Sequence, residues 1–261
     1  MDEIDTAVIL TAGSGTRRLP ITRVIEKVML PIGNRPTVDY AVEQCVAAGL
    51  RRLVFVVSSE ESQVAQYYGE RIDIASEYPW LKRKGQIQVL YSVQRSEYGY
   101  GSAAGVRSAQ EALAGTARFV VVAGDGFVAG DDNPVVTLLG GCREKQGALL
   151  GLEVPESDVH HYGIITAEHG HLAGLVEKPE QLAAGQLPLA NVSYYVLPET
   201  VFEMLDEVKL TGSEYYLTDA VLALAGRGEV AVVPTSGVYL DSGQVDKWLA
   251  ANQYIMARAH P

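Results

Sequence analysis

Ala7 to Pro36 reads AVILTAGSGTRRLPITRVIEKVMLPIGNRP, and this stretch decides the fold. It opens with four apolar residues, Ala7 to Leu10. A run that is apolar at every position suits a strand buried on both faces, as parallel sheets require. The chain then breaks at Gly13 and Gly15, with Ser14 between them. Without a Cβ, the backbone there can turn its N–H groups outward and close on a ligand. Arg17, Arg18, Arg23 and Lys27 follow within eleven residues. Exposed amides beside clustered cations make an anion site, and a polyphosphate is the anion such a site fits. Two familiar phosphate loops do not match. A dinucleotide fingerprint needs a third glycine where Arg18 stands, and a P-loop ends in Gly-Lys-Ser/Thr, which this run lacks.

Downstream, strand and helix patterns alternate. Val38, Ala41, Val42, Cys45 and Val46 recur at helical spacing, and Gly49 suits a C-cap. Leu53–Val57, Ile87–Tyr91, Phe119–Ala123 and Ala148–Val154 read as buried strands. Helices are expected over Ser62–Tyr68, Ala103–Leu113 and Val135–Lys145, and a less regular amphipathic one over Ile72–Lys84, interrupted by Pro79. From Val159 the texture changes to short strands, Gly163–Thr166 and Leu172–Glu177, separated by a turn at Gly170. Strand Leu189–Leu197, helices Glu199–Glu207 and Tyr216–Gly226, strands Val230–Val233 and Gly237–Leu240, and a helix Gln244–Ala259 complete the chain. The βαβ alternation predicts an open, mostly parallel mixed sheet with helices on both faces, and the second half adds a small lobe.

The 261 residues suit one domain, 1–261, in two halves of about 1–155 and about 156–261, the second with the closing helix. Hydrophobic residues make up 48% and charged residues 20%, enough for a packed core and too apolar for disorder. A net charge of −11 argues against nucleic acid as a partner, so an anionic substrate must be drawn in by a local cationic pocket. No apolar run reaches 18 residues, so no membrane partner is expected. Cys45 and Cys142 lack metal or redox spacing, and Cys45 falls on an apolar helix face, which suits a buried thiol. With the acidic N-terminus, these features fit a cytoplasmic location.

Asp125 follows the apolar run Val121-Val122-Ala123, and Asp241 follows Val238-Tyr239-Leu240. Ligands of open α/β sheets gather at the carboxyl ends of strands. Two carboxylates there can share Mg²⁺, which prefers oxygen ligands and substrate phosphates. Either aspartate alone equally suits a turn or a helix cap. The Gln94 carboxamide presents a donor and an acceptor side by side, which complements the edge of uracil or thymine, and in its flipped orientation suits cytosine. His160 and His161 are neighbours and His169 and His171 flank Gly170, so a solvated loop is expected for all four.

Taken together, the motifs resemble the sugar-1-phosphate nucleotidyltransferase family. Its A-G-x-G-T-R, K-x-x-L-P-I and R/K-P elements correspond to Ala12, Gly13, Gly15, Thr16 and Arg17, then Lys27, Leu30, Pro31 and Ile32, then Arg35 and Pro36. The family's Q-x4-G base-binding segment resembles Gln94 and Gly99, and its E-K-P resembles Glu177-Lys178-Pro179, preceded by Tyr162-Gly163. The resemblance runs from Ala7 to about Trp248, and it is strongest to the uridylyl and thymidylyl branches. It implies a Rossmann-like α/β/α sandwich. It implies transfer of a nucleotidyl group from UTP, or alternatively dTTP, to a sugar 1-phosphate, with glucose 1-phosphate the first expectation. The residue roles it implies are Arg17, Lys27 and Asp125 as catalytic, and Ala12, Gly13, Gly15, Thr16, Gln94 and Gly99 on the nucleotide. Gly163, Glu177, Lys178 and Asn191 fall on the sugar phosphate, and Asp125 and Asp241 on Mg²⁺. Tyr195 joins the sugar pocket, while Thr218 and Asp219, in a segment resembling the family's E-x-x-L-T-D, read as structural. A homo-oligomer is expected. Two departures blur the match. Glu26 stands where the family has proline, bringing an extra carboxylate beside Lys27, and Ser102 stands where the uridylyl branch often has histidine. A non-catalytic nucleotide-sugar sensor is the reading from a different class.

Overall fold

The computed structural model describes residues 4–142, 147–228 and 230–259. The elements in chain order are β1 (Thr6–Leu10), β2 (Pro31–Ile32), β3 (Arg35–Pro36), α1 (Thr37–Ala47), β4 (Arg52–Val57), α2 (Gln63–Tyr68), β5 (Arg71–Asp73), α3 (Ile74–Glu77) and β6 (Gln86–Val93). Then come α4 (Ser102–Ser108), β7 (Arg118–Ala123), β8 (Gly126–Ala129), α5 (Pro134–Gly141), β9 (Gly147–Glu153), β10 (Gly163–Glu168) and β11 (His171–Glu177). The chain closes with β12 (Leu189–Pro198), α6 (Val201–Leu205), α7 (Leu217–Arg227), β13 (Val230–Thr235), β14 (Val238–Asp241) and α8 (Val245–Ala259).

The apolar runs of β1, β4 and β7 lie side by side at the centre of a ten-stranded sheet, ordered β10-β11-β13-β9-β12-β7-β1-β4-β6-β5. Their alternate side chains feed two separate cores. Ala7, Ile9, Phe55 and Val122 pack with α1, α2 and α5 residues Val42, Val64 and Leu138. Val8, Val54, Val56 and Val121 pack with α4, α6 and α7 residues Val106, Phe202 and Val221. The expected α/β/α layering is therefore present. A third, smaller cluster holds Ile32, Phe127, Leu240 and Ala251, and joins α8 to the separate β8–β14 ladder. Cys45 is fully buried in the first core, which pushes its thiol up to about 12.

The balance of strand directions differs from the expectation. Among the described residues, four pairings of the large sheet are parallel and six are antiparallel. The four-strand block β6-β4-β1-β7 is parallel, as its helical crossovers require. Beyond β7 the direction reverses at β12 and the outer strands are mixed, with β9 and β13 running along β7 and β11 against it. β10 and β11 are joined by a tight turn in which His169 and Gly170 both have positive φ, 52° and 82°. A connection that short permits only antiparallel pairing. The helix expected over residues 72–84 is reduced to the one-turn α3 and a 3-10 turn, Pro79–Leu81. Ile72 is buried in β5, and the one-turn α3 that follows is capped by Asp73, which accepts the Ser76 N–H at 3.0 Å. The helix expected over Ala103–Leu113 stops at Ser108 and resumes as a single 3-10 turn, Glu111–Leu113. Lys145, the expected end of the helix from Val135, lies outside the described residues. Strand β8 has no counterpart in the sequence reading. No described helix is long and apolar enough to cross a membrane.

Candidate active site

The loop after β1 forms one wall of a cavity of about 790 Å³. Gly15 turns it, with φ +63°, and a Cβ there would lie 2.8 Å from Thr22 Cγ2. The Thr22 hydroxyl pins the turn by donating to the Gly15 carbonyl at 2.8 Å. Ala12, Gly13, Gly15, Thr16 and Arg17 all line the cavity. Tyr100 bridges this loop from across the opening: its hydroxyl accepts the Ser14 N–H at 3.3 Å and lies 3.1 Å from Ser14 Oγ.

Lys27 enters from a second turn, 27–29, and its Nζ meets Asp125 Oδ2 at 2.5 Å. Burial alone lowers the ammonium's pKa. The Asp125 charge and hydrogen bond outweigh that, so the group titrates above its ordinary value. Asp125 shows the reverse balance: burial raises its pKa, Lys27 pulls it down, and the net shift is downward. Glu26 does not compete for this lysine. Its carboxylate turns to the start of α2, accepting Ser62 Oγ at 2.9 Å and the Gln63 N–H at 3.1 Å, while Gln63 Oε1 accepts the Glu26 N–H at 2.8 Å. Arg35 also lies away from the cavity. It pairs with Asp39 and Glu43 at 2.7 and 2.6 Å, under the rings of Tyr40 and Trp80, and so anchors α1.

Asp125 and Asp241 are brought together by the missed strand. Gly126 pairs with Asp241 in the β8–β14 ladder, and the Ser242 N–H donates to the Asp125 carbonyl at 2.9 Å. Both carboxylates face the cavity, and both act electrostatically on Lys27 and on buried Tyr239. Among the described residues no group of three or more metal-ligating side chains occurs. A pair of oxygen donors still fits a hard divalent cation, which commonly takes one or two protein carboxylates and completes its shell with water and substrate phosphates.

The segment 100–103 is stitched to the chain before α7. The Tyr215 N–H donates to the Tyr100 carbonyl at 2.8 Å, the Ala103 N–H to the Tyr215 carbonyl at 3.0 Å, and the Leu217 N–H to Ser102 Oγ at 2.9 Å. Gly101, with φ +123°, permits this approach: a Cβ would sit 2.4 Å from the Tyr215 carbonyl oxygen. Gln94 lies just beyond the carboxyl end of β6 and lines the cavity. Gly99 does not. It lies behind that wall, where its carbonyl accepts Gln94 Nε2 at 3.4 Å.

The opposite wall carries Gly163, Glu177, Lys178 and Asn191. Lys178 has φ +47°, an uncommon conformation for a residue with a side chain, and its N–H donates to the Tyr162 carbonyl at 2.9 Å. Backbone held this way clusters at functional sites. Glu177 Oε1 accepts the Thr218 hydroxyl at 2.9 Å, and burial raises its pKa more than Thr218 and Lys178 lower it. Thr218 also lines the cavity, a position the structural reading of that residue did not include. The register of β12 shifts between Asn191 and Tyr195. Within this bulge Asn191 accepts the Ser193 N–H at 3.1 Å and donates to the Tyr195 hydroxyl at 2.6 Å. The irregularity carries Asn191, Ser193 and Tyr195 to the cavity, as bulges do when they re-aim side chains.

Three groups that sequence reasoning missed complete this wall. His160 and His161 line the cavity and are not merely a solvated loop; their place directly before Tyr162-Gly163 was the available signal. Lys247, on the first turn of α8, lies 3.4 Å from Asp241 Oδ2 and 5.3 Å from the centre of the Tyr162 ring.

The nucleotidyl transferase family matches residues 6–258. The chain belongs to that family. UTP–glucose-1-phosphate uridylyltransferase of Mycoplasma pneumoniae is 30% identical over 274 residues, spanning 97% of this chain and 93% of its own length. The enzyme of the same name from Staphylococcus epidermidis is 31% identical over 266 residues, spanning 94% and 89%. A solved UDP-glucose pyrophosphorylase complexed with UDP-glucose superposes with a TM-score of 0.82 at 27% identity, covering 98% of this chain and all of its own. This nucleotidyl transferase therefore shares the architecture of that solved structure over nearly its whole length.

Proposed function

We propose that the chain joins UTP and glucose 1-phosphate to give UDP-glucose and pyrophosphate. One observation carries the reading: a single cavity gathers the glycine loop, Lys27, both aspartates, Gln94 and the Glu177-Lys178 pair. The names of the relatives supply the substrates. In this reading the loop amides, Arg17 and Lys27 hold the triphosphate, and Gln94 reads the uracil edge. Gly163, Glu177 and Asn191 hold the sugar, and Lys178 its phosphate. The halves divide accordingly, residues 1–155 serving the nucleotide and 156–261 the sugar phosphate. Mg²⁺ is the cation we assign to Asp125 and Asp241, which would hold it, and it would supply positive charge to the substrate phosphates.

The sugar phosphate oxygen attacks the α-phosphorus in line. A new P–O bond forms as the bond to the β-phosphate oxygen breaks, and pyrophosphate leaves. The protein's task is positioning and charge neutralisation. Two anions must meet, and Lys178 and Lys27 lower the repulsion between them. Nothing in this scheme requires a covalent enzyme intermediate. The test follows pyrophosphate release with Mg²⁺ and glucose 1-phosphate, using UTP and dTTP in parallel. Release with UTP well above dTTP supports the proposal. The reverse preference assigns thymidylyl transfer. No release with either, alongside tight UDP-glucose binding, makes the protein a sensor. A cytoplasmic location and a homo-oligomer belong to the same proposal, and fractionation and light scattering check them.

A further inference from the structure

The Asp241 carboxylate has one oxygen fixed and one in play. Oδ1 accepts the Gly243 N–H at 2.8 Å. Oδ2 faces the Lys247 ammonium at 3.4 Å. Charge-assisted hydrogen bonds of this type close to about 2.7–2.9 Å, so this pair is in ionic contact without a tight bond. Lys247 rests over the Tyr162 ring, inside the same cavity and one helical turn into α8. A divalent cation cannot take Oδ2 while the ammonium keeps its place, because the two positive charges would repel across the shared oxygen.

We infer that Lys247 is a tethered counter-ion of Asp241, and that a divalent cation must displace it to bind. This inference rests on the assignment of Asp241 to the metal. Arg18 and Lys27 also act electrostatically with Asp241, but neither is paired with it, so the displaced group is Lys247. The lysine keeps the metal-free carboxylate balanced and weakens its hold on a free ion. The cation is then retained best when it arrives with phosphate oxygens that complete its shell. Lys247 is a positioning residue in this account, since it acts through Asp241.

The experiment titrates the nucleotide-free protein with Mn²⁺ and follows the free-ion electron paramagnetic resonance signal. Lys247→Met, which keeps length and removes charge, should bind Mn²⁺ about tenfold more tightly than the unmodified protein, equivalent to about 1.4 kcal/mol. Lys247→Arg, which keeps the charge, should stay close to the unmodified affinity. Unchanged or weaker binding by Lys247→Met overturns the inference, with Lys247→Gln replacing it if circular dichroism shows the methionine variant misfolded. Asp241→Asn separates the two claims. Undiminished Mn²⁺ binding by Asp241→Asn removes the metal assignment itself. Lost binding there, with no tightening in Lys247→Met, removes the counter-ion role alone.

Discussion

The two aspartates at the cavity mouth carry the same functional group in unlike settings. Asp125 lies two residues past the end of β7, a strand buried at the centre of the sheet, and its lysine arrives from 98 residues away to close at 2.5 Å. Asp241 ends a short, partly exposed strand, and its lysine comes from the next helix to stand at 3.4 Å. The first pair is fixed by the architecture of the whole domain. The second is set by a local turn and can be rearranged without disturbing the core. The proposed reaction, which needs a triphosphate held and a cation admitted, has use for one of each.

The largest expected effect tests the fixed pair. Lys27→Ala or Asp125→Asn should lower turnover by at least about 10²-fold, as loss of one preorganised charge commonly does. Steady-state pyrophosphate release measures it, and near-normal turnover in both variants would remove the pair from the mechanism. Next comes the support behind it. Glu26→Ala removes the carboxylate that accepts from Ser62 Oγ and the Gln63 N–H and so helps orient the Lys27 turn, leaving the Glu26 N–H bond to Gln63 in place. Unfolding should become easier by about 1 kcal/mol, the usual worth of such hydrogen bonds, with a fall in turnover smaller than that of Lys27→Ala. A Glu26→Ala enzyme as impaired as Lys27→Ala would mean that the glutamate itself faces substrate.

How much of this was legible in the sequence follows from the same contrast. The central strands were readable because β1, β4 and β7 are apolar at nearly every position, and only double burial explains that. The glycine loop and Asp125 come just after such strands and Gln94 just after β6, so their place in the cavity could be read too, while Lys27 was read from its motif. Asp241 was found by motif, but what joins it to Asp125 was not. Strand β8 is four residues long and, among the described residues, pairs only with β14, from the far end of the chain. The reversal of the sheet after β7 was hidden because short strands carry no mark of their direction until their partners are known. The β12 bulge depends on a register shift, and Ser193 and Tyr195 look like ordinary strand residues without it. His160, His161 and Lys247 are polar residues in loops or on a helix turn, where solvation is the default and only tertiary placement says otherwise.

The two walls meet beneath the cavity, where Arg18, the neighbour of Arg17, lies 4.9 Å from the ring of Trp248, the neighbour of Lys247. Arg18 is 3% exposed, and its Nε and Nη1 find no hydrogen-bond partner among the described residues. Burial lowers its pKa, and the attraction of Asp241 only partly offsets this. The ring contact is worth about 0.5–2 kcal/mol, whereas desolvating a cation costs several. Arg18→Met should therefore leave the melting temperature unchanged or raise it. A large loss of stability would show that the guanidinium is held by more than the indole.

The smallest expected effect is the most direct view of the looser wall. In the metal-free protein burial is the first cause that lowers the His161 pKa, followed by the charges of Lys247 and then His160, while Asp158 and Asp241 pull upward. A nearby ammonium disfavours a second positive charge, so Lys247→Met should raise the His161 pKa. Ring-proton chemical shifts followed against pH in both proteins measure the change. An upward shift places the ammonium within reach of the imidazole, as a cation shared between Asp241 and the cavity must be. No shift would put Lys247 on Asp241 alone, tied as firmly as Lys27 is to Asp125, and the two walls would then differ in position but not in freedom.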